Sequence, residues 1–288
     1  MKFVINMNDC GYGANRMGIT CGYKTIKEYK KDLADKINYV DYKVAPIDDL
    51  EPAKYYQTVY NASKSIYDAN LAVYKDGNFP ITLGGDHSLA LGSVKAALEV
   101  YGNEIGLVWI DAHADINSFK QSETKNIHGT PVASLLGINE QKFDNLGNEV
   151  RLNPENLVYI GTRSVDYDEE INIAKYDICE LSDSLIKATS FKEQEANLIH
   201  YLDGKVKKVF ISLDLDSMDP KLISAVSTDV PGGLLPEEVV SLIKSINEKF
   251  EIIGLDIFEY NPLNDKNYET LNFIEKFLKE VESIIGKK

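Results

Sequence analysis

Two aspartate-rich segments each follow a run of apolar residues. LVWI (107–110) leads into DAHAD (111–115), and VFISL (209–213) leads into DLD (214–216). Isolated buried charges are costly, and they persist where they are paired or bind a metal. Alternate residues of a strand share a face, so we expect the charged side chains within each segment to point the same way. Four carboxylates and one imidazole at two strand ends therefore predict a cation site.

A second imidazole joins this set from a third apolar run. That run ends in GGDHS (84–88), which contributes His87. Sites rich in oxygen with some imidazole favour Mn²⁺ over Zn²⁺, because hard carboxylates prefer harder ions. Four carboxylates carry more charge than one divalent ion balances, so we expect two ions about 3.5–4 Å apart. The same residues also suit a non-catalytic ion site or a salt-bridge network. The predicted ligands are His87, Asp111, His113, Asp115, Asp214 and Asp216.

The elements that position these residues follow from hydrophobic patterning. Apolar runs alternate with helical patterns, which predicts a mostly parallel sheet with helices on both faces. Ligands of such sheets bind at the carboxyl ends of the strands, where both aspartate segments lie. The long polar loop 116–127 beside them is typical of a functional loop. The predicted strands are 2–7, 39–45, 79–83, 106–112, 157–161, 176–181, 208–214 and 252–258. The predicted helices are 25–36, 52–76, 89–100, 168–174, 191–202, 236–248 and 268–285.

Composition bounds the class of protein. The 288 residues are 44% hydrophobic and 26% charged, and no linker is visible, which favours one domain over 1–288. The net charge of −14 argues against nucleic acid and anionic membranes as partners. Cys10, Cys21 and Cys179 form no CxxC pair, which indicates reduced thiols in a cytoplasmic protein. The N-terminal apolar run is too short for a signal peptide, and no stretch approaches the roughly 20 apolar residues of a membrane span.

Four motifs resemble those of the ureohydrolases, the family of arginase, agmatinase and formimidoylglutamase. GGDHS, DAHAD and SLDLDSMDP (212–220) look like its three metal motifs, and GLDIFEYNP (254–262) is similar to a segment near its C-terminus. The resemblance spans roughly residues 80–262. It implies a three-layer α/β/α fold around about eight mostly parallel strands, and two Mn²⁺ ions per chain. It implies one ion held by His87, Asp111, Asp115 and Asp214, and a second held by Asp111, His113, Asp214 and Asp216.

The resemblance also implies a reaction. A guanidinium carbon is a poor electrophile, so a hydroxide that bridges the ions supplies the nucleophile and the ions stabilise the tetrahedral adduct. Asp115 takes the hydroxide proton and passes it to the leaving amine. Glu259 pairs with the guanidinium, whose planar fork two carboxylate oxygens match. Asp256 is expected to orient a ligand from behind.

The loop after DAHAD, residues 115–137, resembles that of arginases. The resemblance implies that Asn117, Thr124 and Asn126 hydrogen-bond an α-carboxylate. His128 resembles the arginase histidine proposed to shuttle protons, and an unperturbed pKa near 6.5 suits that role.

The segment IGTRSVDYDEE (160–170) resembles the arginase stretch that holds an α-ammonium. Asp166 and Glu169 are then its acceptors, and Thr228 lies where arginases place a hydroxyl. Ser164 departs from the family, because arginases usually have an aspartate there.

The first hypothesis is therefore a manganese hydrolase that converts L-arginine to L-ornithine and urea. Agmatine, N-formimino-L-glutamate or another guanidino acid is the alternative substrate within the family. A catalytically silent metal-binding protein is the alternative from another class. A nucleotide-binding module rests on GGDHS alone, without GxGxxG or GxxxxGK[ST]. The family further suggests a homo-oligomer, either a trimer or a hexamer.

Overall fold

The computed structural model describes residues 1–46, 52–139 and 142–287. Within these ranges eight strands and ten helices alternate along the chain. The strands are β1 Phe3–Met7, β2 Ile37–Tyr39, β3 Phe79–Leu83, β4 Ile105–Ile110, β5 Leu157–Ile160, β6 Cys179–Leu181, β7 Lys208–Asp214 and β8 Glu251–Phe258. The helices are α1 Gly22–Tyr29, α2 Lys31–Ala34, α3 Tyr56–Lys75, α4 Ala90–Tyr101, α5 Pro131–Leu136, α6 Tyr167–Lys175, α7 Asp183–Ala188, α8 Phe191–Leu202, α9 Pro236–Lys249 and α10 Glu269–Ile285.

The strands form one sheet in the order β2-β1-β3-β8-β7-β4-β5-β6, and every neighbouring pair is parallel. An apolar core covers each face of this sheet. Helices α1, α2 and α7 to α10 contribute to one core, and α3 to α6 contribute to the other. The fold is therefore the three-layer α/β/α sandwich with a parallel sheet that the sequence predicts.

The central strands explain where a site can form. All six residues of β4 are buried, and its neighbour β7 pairs with it from Ile105 and Lys208 to Ile110 and Leu213. Strands covered on both faces are expected to be continuous apolar runs, as IGLVWI is. Carboxylates appear only at or after the last residue of these two strands, so their carboxyl ends place acidic groups together at one edge of the sheet.

Two predicted elements in the first sixty residues are displaced. The strand predicted at 39–45 is instead β2, Ile37–Tyr39, which pairs only with β1 at the sheet edge. The apolar pattern continues to residue 45, but the Val40 N–H bonds the Met7 carbonyl and the ladder ends there. The helix predicted at 25–36 is broken into α1 and α2, because Lys30 adopts φ −136° and ψ 62°.

Two short helices lie where the sequence predicted none. Pro131 begins α5 at its first helical position, and Ser182 caps α7 by accepting the Leu185 N–H. Both are only six residues long, so hydrophobic periodicity carries little signal for them. The predicted loop 116–127 has neither helix nor strand up to residue 126. None of the helices in the described ranges has the length and apolar composition of a membrane span.

Candidate active site

Three strands bring the predicted ligands to one place. Asp111 follows β4, Asp214 ends β7, and His87 begins a 3₁₀ turn after β3. Each of these side chains is almost completely inaccessible to solvent. Since β4 and β7 are hydrogen-bonded neighbours and end in register, their terminal carboxylates must lie side by side.

The first group of ligand atoms surrounds His87. Its Nδ1 lies 2.8 Å from Asp111 Oδ2, 3.1 Å from Asp214 Oδ2 and 3.3 Å from Asp115 Oδ2. One imidazole nitrogen and three carboxylate oxygens thus converge within contact distance. The ligand atoms of His87, Asp111 and Asp115 are close enough together to hold one ion.

The second group surrounds His113. Its Nδ1 lies 3.2 Å from Asp216 Oδ2 and 3.5 Å from Asp111 Oδ1. These three residues form a second group with ion-binding spacing. Asp111 belongs to both groups, with Oδ2 directed to His87 and Oδ1 to His113. This sharing is the arrangement expected of a carboxylate that bridges two cations.

The electrostatics of this cluster call for positive charge. Burial, together with the charge of Asp111, raises the pKa of Asp115 well above its ordinary value. Burial and the charges of Asp216 and Asp111 do the same to the pKa of Asp214. Burial lowers the pKa of His113, but Asp216 and Asp111 raise it well above its usual range in the net. Two imidazoles cannot neutralise four buried carboxylates, whereas two divalent cations would, so the donor set fits the ions that the sequence predicts.

The backbone reaches this arrangement by a route that the sequence did not indicate. A shared strand face for residues 111, 113 and 115 was expected, but β4 ends at Ile110 and the segment that follows is irregular. Asp115 adopts a left-handed conformation with φ 53°. The expectation of strand alternation is therefore wrong, because the chain must leave the sheet to wrap the carboxylates around a point.

Glu259 lies beside the first group with one oxygen unsatisfied. Its Oε1 accepts the His87 backbone N–H at 3.0 Å and lies 3.3 Å from His128 Nδ1. Its Oε2 is buried and has no hydrogen-bond partner among the described residues. Glu259 has φ 66°, so a strained backbone holds this carboxylate inward. An unpartnered buried carboxylate oxygen is expected to meet a cationic ligand group.

A cavity of about 450 Å³ opens beside the cluster. The loop that follows DAHAD and the start of α6 form much of its wall. Asn126 is not among the described residues that line it; its amide instead donates to the Ala14 carbonyl at 3.4 Å. The predicted residues that line the cavity are His113, Asp115, Asn117, Thr124, His128, Asp166, Glu169 and Thr228.

Asp166 and Glu169 form a capping box at the start of α6. Asp166 Oδ1 accepts the Glu169 N–H at 3.0 Å, and Glu169 Oε2 accepts the Asp166 N–H at 3.1 Å. The other oxygen of Asp166 accepts Asn117 Nδ2 at 2.6 Å, which ties the loop to the helix. Burial raises the pKa of Glu169 to about 7. Asp166 is the more exposed of the two carboxylates, and Glu169 is largely enclosed by backbone donors.

The remaining predicted hydroxyl contacts the second group directly. Thr228 donates to Asp216 Oδ2 at 3.0 Å. Because the same oxygen faces His113 Nδ1, this hydroxyl helps to fix the orientation of the Asp216 carboxylate. Buried Asn117 Oδ1 has no hydrogen-bond partner in the described chain, so it leaves an acceptor in the cavity wall.

Sequence reasoning missed the part played by Asp86 and the N-terminal segment. Asp86 Oδ2 accepts the Gly13 N–H at 2.7 Å and the Ala14 N–H at 3.1 Å. The Gly13 carbonyl in turn accepts the His128 N–H at 3.3 Å. A Cβ at Gly13 would lie 2.4 Å from Asp86 Oδ1, so only glycine fits this contact. The aspartate inside GGDHS was the available signal, but nothing in the sequence revealed its distant partners.

Comparison with known proteins agrees with this geometry. A sequence model described as "Arginase family" matches residues 4–282. The chain is 32% identical to an arginase of Staphylococcus aureus over 90% of its own length and 89% of that protein. It is 30% identical to the Bacillus subtilis arginase, over 96% and 95% of the two chains.

Solved structures give the same result. The native Bacillus caldovelox arginase superposes with a TM-score of 0.86 at 27% identity, covering 100% of this chain and 99% of that one. A Bacillus subtilis arginase structure gives a TM-score of 0.87 at 27% identity with the same coverage. The chain therefore belongs to the arginase family, whose members are hydrolases that act on the C–N bonds of guanidino groups.

Proposed function

We propose that this protein hydrolyses L-arginine to L-ornithine and urea with two Mn²⁺ ions. One observation carries the proposal: two ion-binding groups share Asp111, and the unpartnered Oε2 of Glu259 is buried beside them. Two ions at the shared groups would activate water, and the free oxygen of Glu259 can accept a hydrogen bond from a guanidinium group. Manganese is supported by the donor set, in which carboxylate oxygens outnumber imidazoles.

The proposed roles follow from where the side chains lie. One ion would be held by His87, Asp111, Asp115 and Asp214. The other would be held by Asp111, His113, Asp214 and Asp216. When bound, such ions lower the pKa of water and stabilise the negative charge that develops during attack on carbon. This requirement explains why the chain gathers so many carboxylates in a buried place.

The other side chains orient the substrate and move protons. Glu259 binds the guanidinium and fixes its carbon toward the ion cluster. Asp115 accepts a proton from the attacking water and transfers it to the departing nitrogen, so that the C–N bond breaks and an amine leaves. His128 exchanges protons between this nitrogen and solvent through the cavity, which it lines. Urea keeps the guanidinium carbon, and ornithine keeps the departing nitrogen.

A substrate panel tests the proposal. Manganese-loaded protein is incubated separately with arginine, agmatine, formiminoglutamate and guanidinobutyrate, and urea or formamide is assayed. Arginine is expected to give the highest kcat/KM. A preference for agmatine or formiminoglutamate would contradict the arginine assignment while leaving the hydrolase chemistry in place. No turnover of any of the four would favour a silent metal-binding protein.

Asp166→Asn is expected to raise the KM of every substrate that carries an amine at its far end. Asparagine also caps helices well, so α6 is kept while the charge that would bind an α-ammonium is lost. We expect a loss of about 1.5–3 kcal/mol, roughly 10- to 150-fold in KM, with kcat little changed. Arginine and agmatine both carry this amine, whereas guanidinobutyrate does not. Equal losses for all three substrates would show that Asp166 does not bind the ammonium.

Asn126→Ala tests the predicted hydrogen bond from Asn126 to the α-carboxylate, since this amide donates to the Ala14 carbonyl and does not line the cavity in the described chain. If the amide turns to the carboxylate when substrate binds, the variant is expected to raise the KM for arginine and guanidinobutyrate, with a smaller effect on kcat. These substrates carry a carboxylate, and agmatine carries none. A lost neutral hydrogen bond corresponds to about 0.5–1.5 kcal/mol, roughly 2- to 13-fold. Steady-state kinetics on the three substrates measure the effect. If the KM for agmatine rises as much, Asn126 acts through its bonds to Ala14 and the loop and not through the carboxylate.

The remaining features of the proposal concern the whole molecule. We propose a single domain over residues 1–288, a homo-oligomer of three or six chains, and a cytoplasmic location without nucleic-acid or membrane partners. The oligomer is supported by the family resemblance, and light scattering of the purified protein tests it. The reducing compartment is supported by the three cysteines, all of which are free thiols.

A further inference from the structure

A row of polar side chains crosses the sheet behind the ion-binding groups. Across the strands, Asn6 pairs with Thr82, Thr82 with Asp256, and Asp256 with Ser212. All four side chains are completely buried. Register neighbours of a parallel sheet lie on the same face, so these residues form one line inside the apolar core. Buried polar groups are costly, which makes a continuous row of them a feature that needs a reason.

One arm of this row runs inward from the edge of the sheet. Asn38 Nδ2 donates to Asn6 Oδ1 at 2.7 Å, and Asn6 Nδ2 donates to Asn70 Oδ1 at 2.8 Å. Asn70 Nδ2 then donates to Thr82 Oγ1 at 2.9 Å. Each bond donates in the same direction, toward β8. With its oxygen occupied as an acceptor, the Thr82 hydroxyl keeps its proton for the neighbouring Asp256, and its hydrogen bond lowers the pKa of that carboxyl.

The other arm runs from the ion-binding groups to the same carboxylate. His87 Nε2 lies 3.0 Å from Ser212 Oγ, and the Ser212 hydroxyl donates to Asp256 Oδ2 at 3.5 Å. Ser93 donates to that oxygen from α4 at 2.5 Å. Burial raises the pKa of Asp256 and the hydrogen bonds from these hydroxyls lower it. Burial has the larger effect, so the pKa is about 7. Both arms therefore reach the Asp256 carboxyl. Its Oδ2 accepts from Ser93 and Ser212, whereas its buried Oδ1 has no hydrogen-bond partner of standard geometry among the described residues.

The imidazole of His87 is also fixed in its plane. Its ring stacks on Trp109 with centroids 4.0 Å apart and an interplanar angle of 12°. Trp109 is the strand neighbour of Ser212, and its Nε1 donates to Asp111 Oδ2 at 3.0 Å. Stacking on Trp109 fixes one face of the His87 ring, and the contact between Nε2 and Ser212 Oγ fixes its rotation. Its only other nitrogen, Nδ1, faces the three carboxylates of the first group.

We propose that Asp256, acting through Ser212, is a positioning residue that keeps the proton of His87 on Nε2 and its Nδ1 lone pair free for an ion. The inference rests on the proposed two-ion site, which it deepens. A histidine ligates through an unprotonated nitrogen, and the group bonded to the other nitrogen selects the tautomer. Ser212 can accept the Nε2 proton because its own proton is directed to Asp256. Loss of such support typically costs about 10- to 100-fold in metal affinity.

The first test measures ion binding. Ion-free wild type, Ser212→Ala and Ser245→Ala are dialysed against graded Mn²⁺, and bound metal is counted by atomic absorption. Ser245 is the matched control, because its hydroxyl also donates to a buried carboxylate, Glu195, at 2.9 Å between α8 and α9. Ser212→Ala is expected to weaken one of two ions by roughly 10- to 100-fold and to leave the other near wild type. Two ions of wild-type affinity in Ser212→Ala would overturn the inference.

The second test needs no metal and separates this inference from the proposed function. In ¹⁵N-labelled ion-free protein, the His87 Nε2 proton is expected as a slowly exchanging signal that His87→Asn removes. Ser212→Ala should abolish its protection, and Ser245→Ala should keep it. An Nε2 proton that is unprotected in wild type, or unchanged in Ser212→Ala, overturns the inference. Failure of wild type to bind two ions would contradict the proposed function instead.

A third variant keeps the test decisive if Ser212→Ala does not fold. Asp256→Asn preserves the side-chain volume but removes the charge on which both arms converge. We expect the same ion to weaken as in Ser212→Ala, and by a similar factor, while the second ion is retained. Wild-type affinity for both ions in folded Asp256→Asn would show that the carboxylate is a packing feature of the core.

Discussion

Asp111→Asn is expected to abolish ion binding at both groups and to reduce arginine hydrolysis by at least roughly a thousand-fold. The reason is geometric, because Asp111 directs one oxygen to each histidine of the cluster. Asparagine keeps the volume but removes the charge that would bridge the ions. Several kcal/mol of charge stabilisation depend on those ions, and each 1.36 kcal/mol is tenfold in rate.

The measurement combines bound manganese per chain with the rate of urea release at saturating arginine. Asp203→Asn is the matched control. The Asp203 carboxylate is exposed and forms an ion pair with Lys249, and it precedes the amino end of β7, whereas the ion-binding groups lie at the carboxyl end. The control is expected to keep both ions and full activity. Asp111→Asn protein that still binds two ions tightly would exclude Asp111 as a shared ligand.

Glu259→Gln is expected to lower kcat/KM for arginine by roughly 30- to 5,000-fold and to leave both ions bound. Glutamine can still accept the His87 N–H, so the local backbone is retained. What is lost is a buried charge opposite a cation, which typically costs about 2–5 kcal/mol. Ion content near wild type together with slow turnover would therefore separate substrate binding from metal binding.

His128 provides an independent measure of the same change. Burial lowers the pKa of His128, but the hydrogen bond and charge of Glu259 raise it above its ordinary value in the net. Removing that charge should lower the pKa, which NMR titration of the imidazole detects. A wild-type pKa for His128 and wild-type kcat/KM in Glu259→Gln would show that the carboxylate does not face the substrate or the histidine.

The predicted fold was confirmed because its signals are local. IGLVWI is a continuous apolar run, and VFISL is one apart from Ser212, as expected of strands that are covered on both faces. The same reasoning failed at β2, where an edge strand of three residues carries a weak pattern. It also failed at α1 and α2, because a single residue, Lys30, leaves helical geometry. No periodicity reports a break of that kind.

The substrate side of the site was harder to read. The loop after DAHAD resembles that of arginases, yet Asn126 bonds Ala14 and does not line the cavity in the described chain. Between residues 113 and 128, some polar side chains line the cavity and others do not, and the two kinds share residue types. Their roles depend on which way a loop without regular structure turns, and composition does not determine that.

The amino-acid sequence was sufficient to predict the parallel sheet, the family and the charged groups at the ends of β4 and β7. Two patterns made this possible: strands alternate with helices along the chain, and carboxylates directly follow the apolar runs. The folded chain was needed to show which oxygen of Asp111 faces which histidine, and that Asp115 reaches the cluster with a left-handed backbone conformation. It also aligned Thr82, Asp256 and Ser212 across the sheet, since strand order and register join residues that are far apart along the chain.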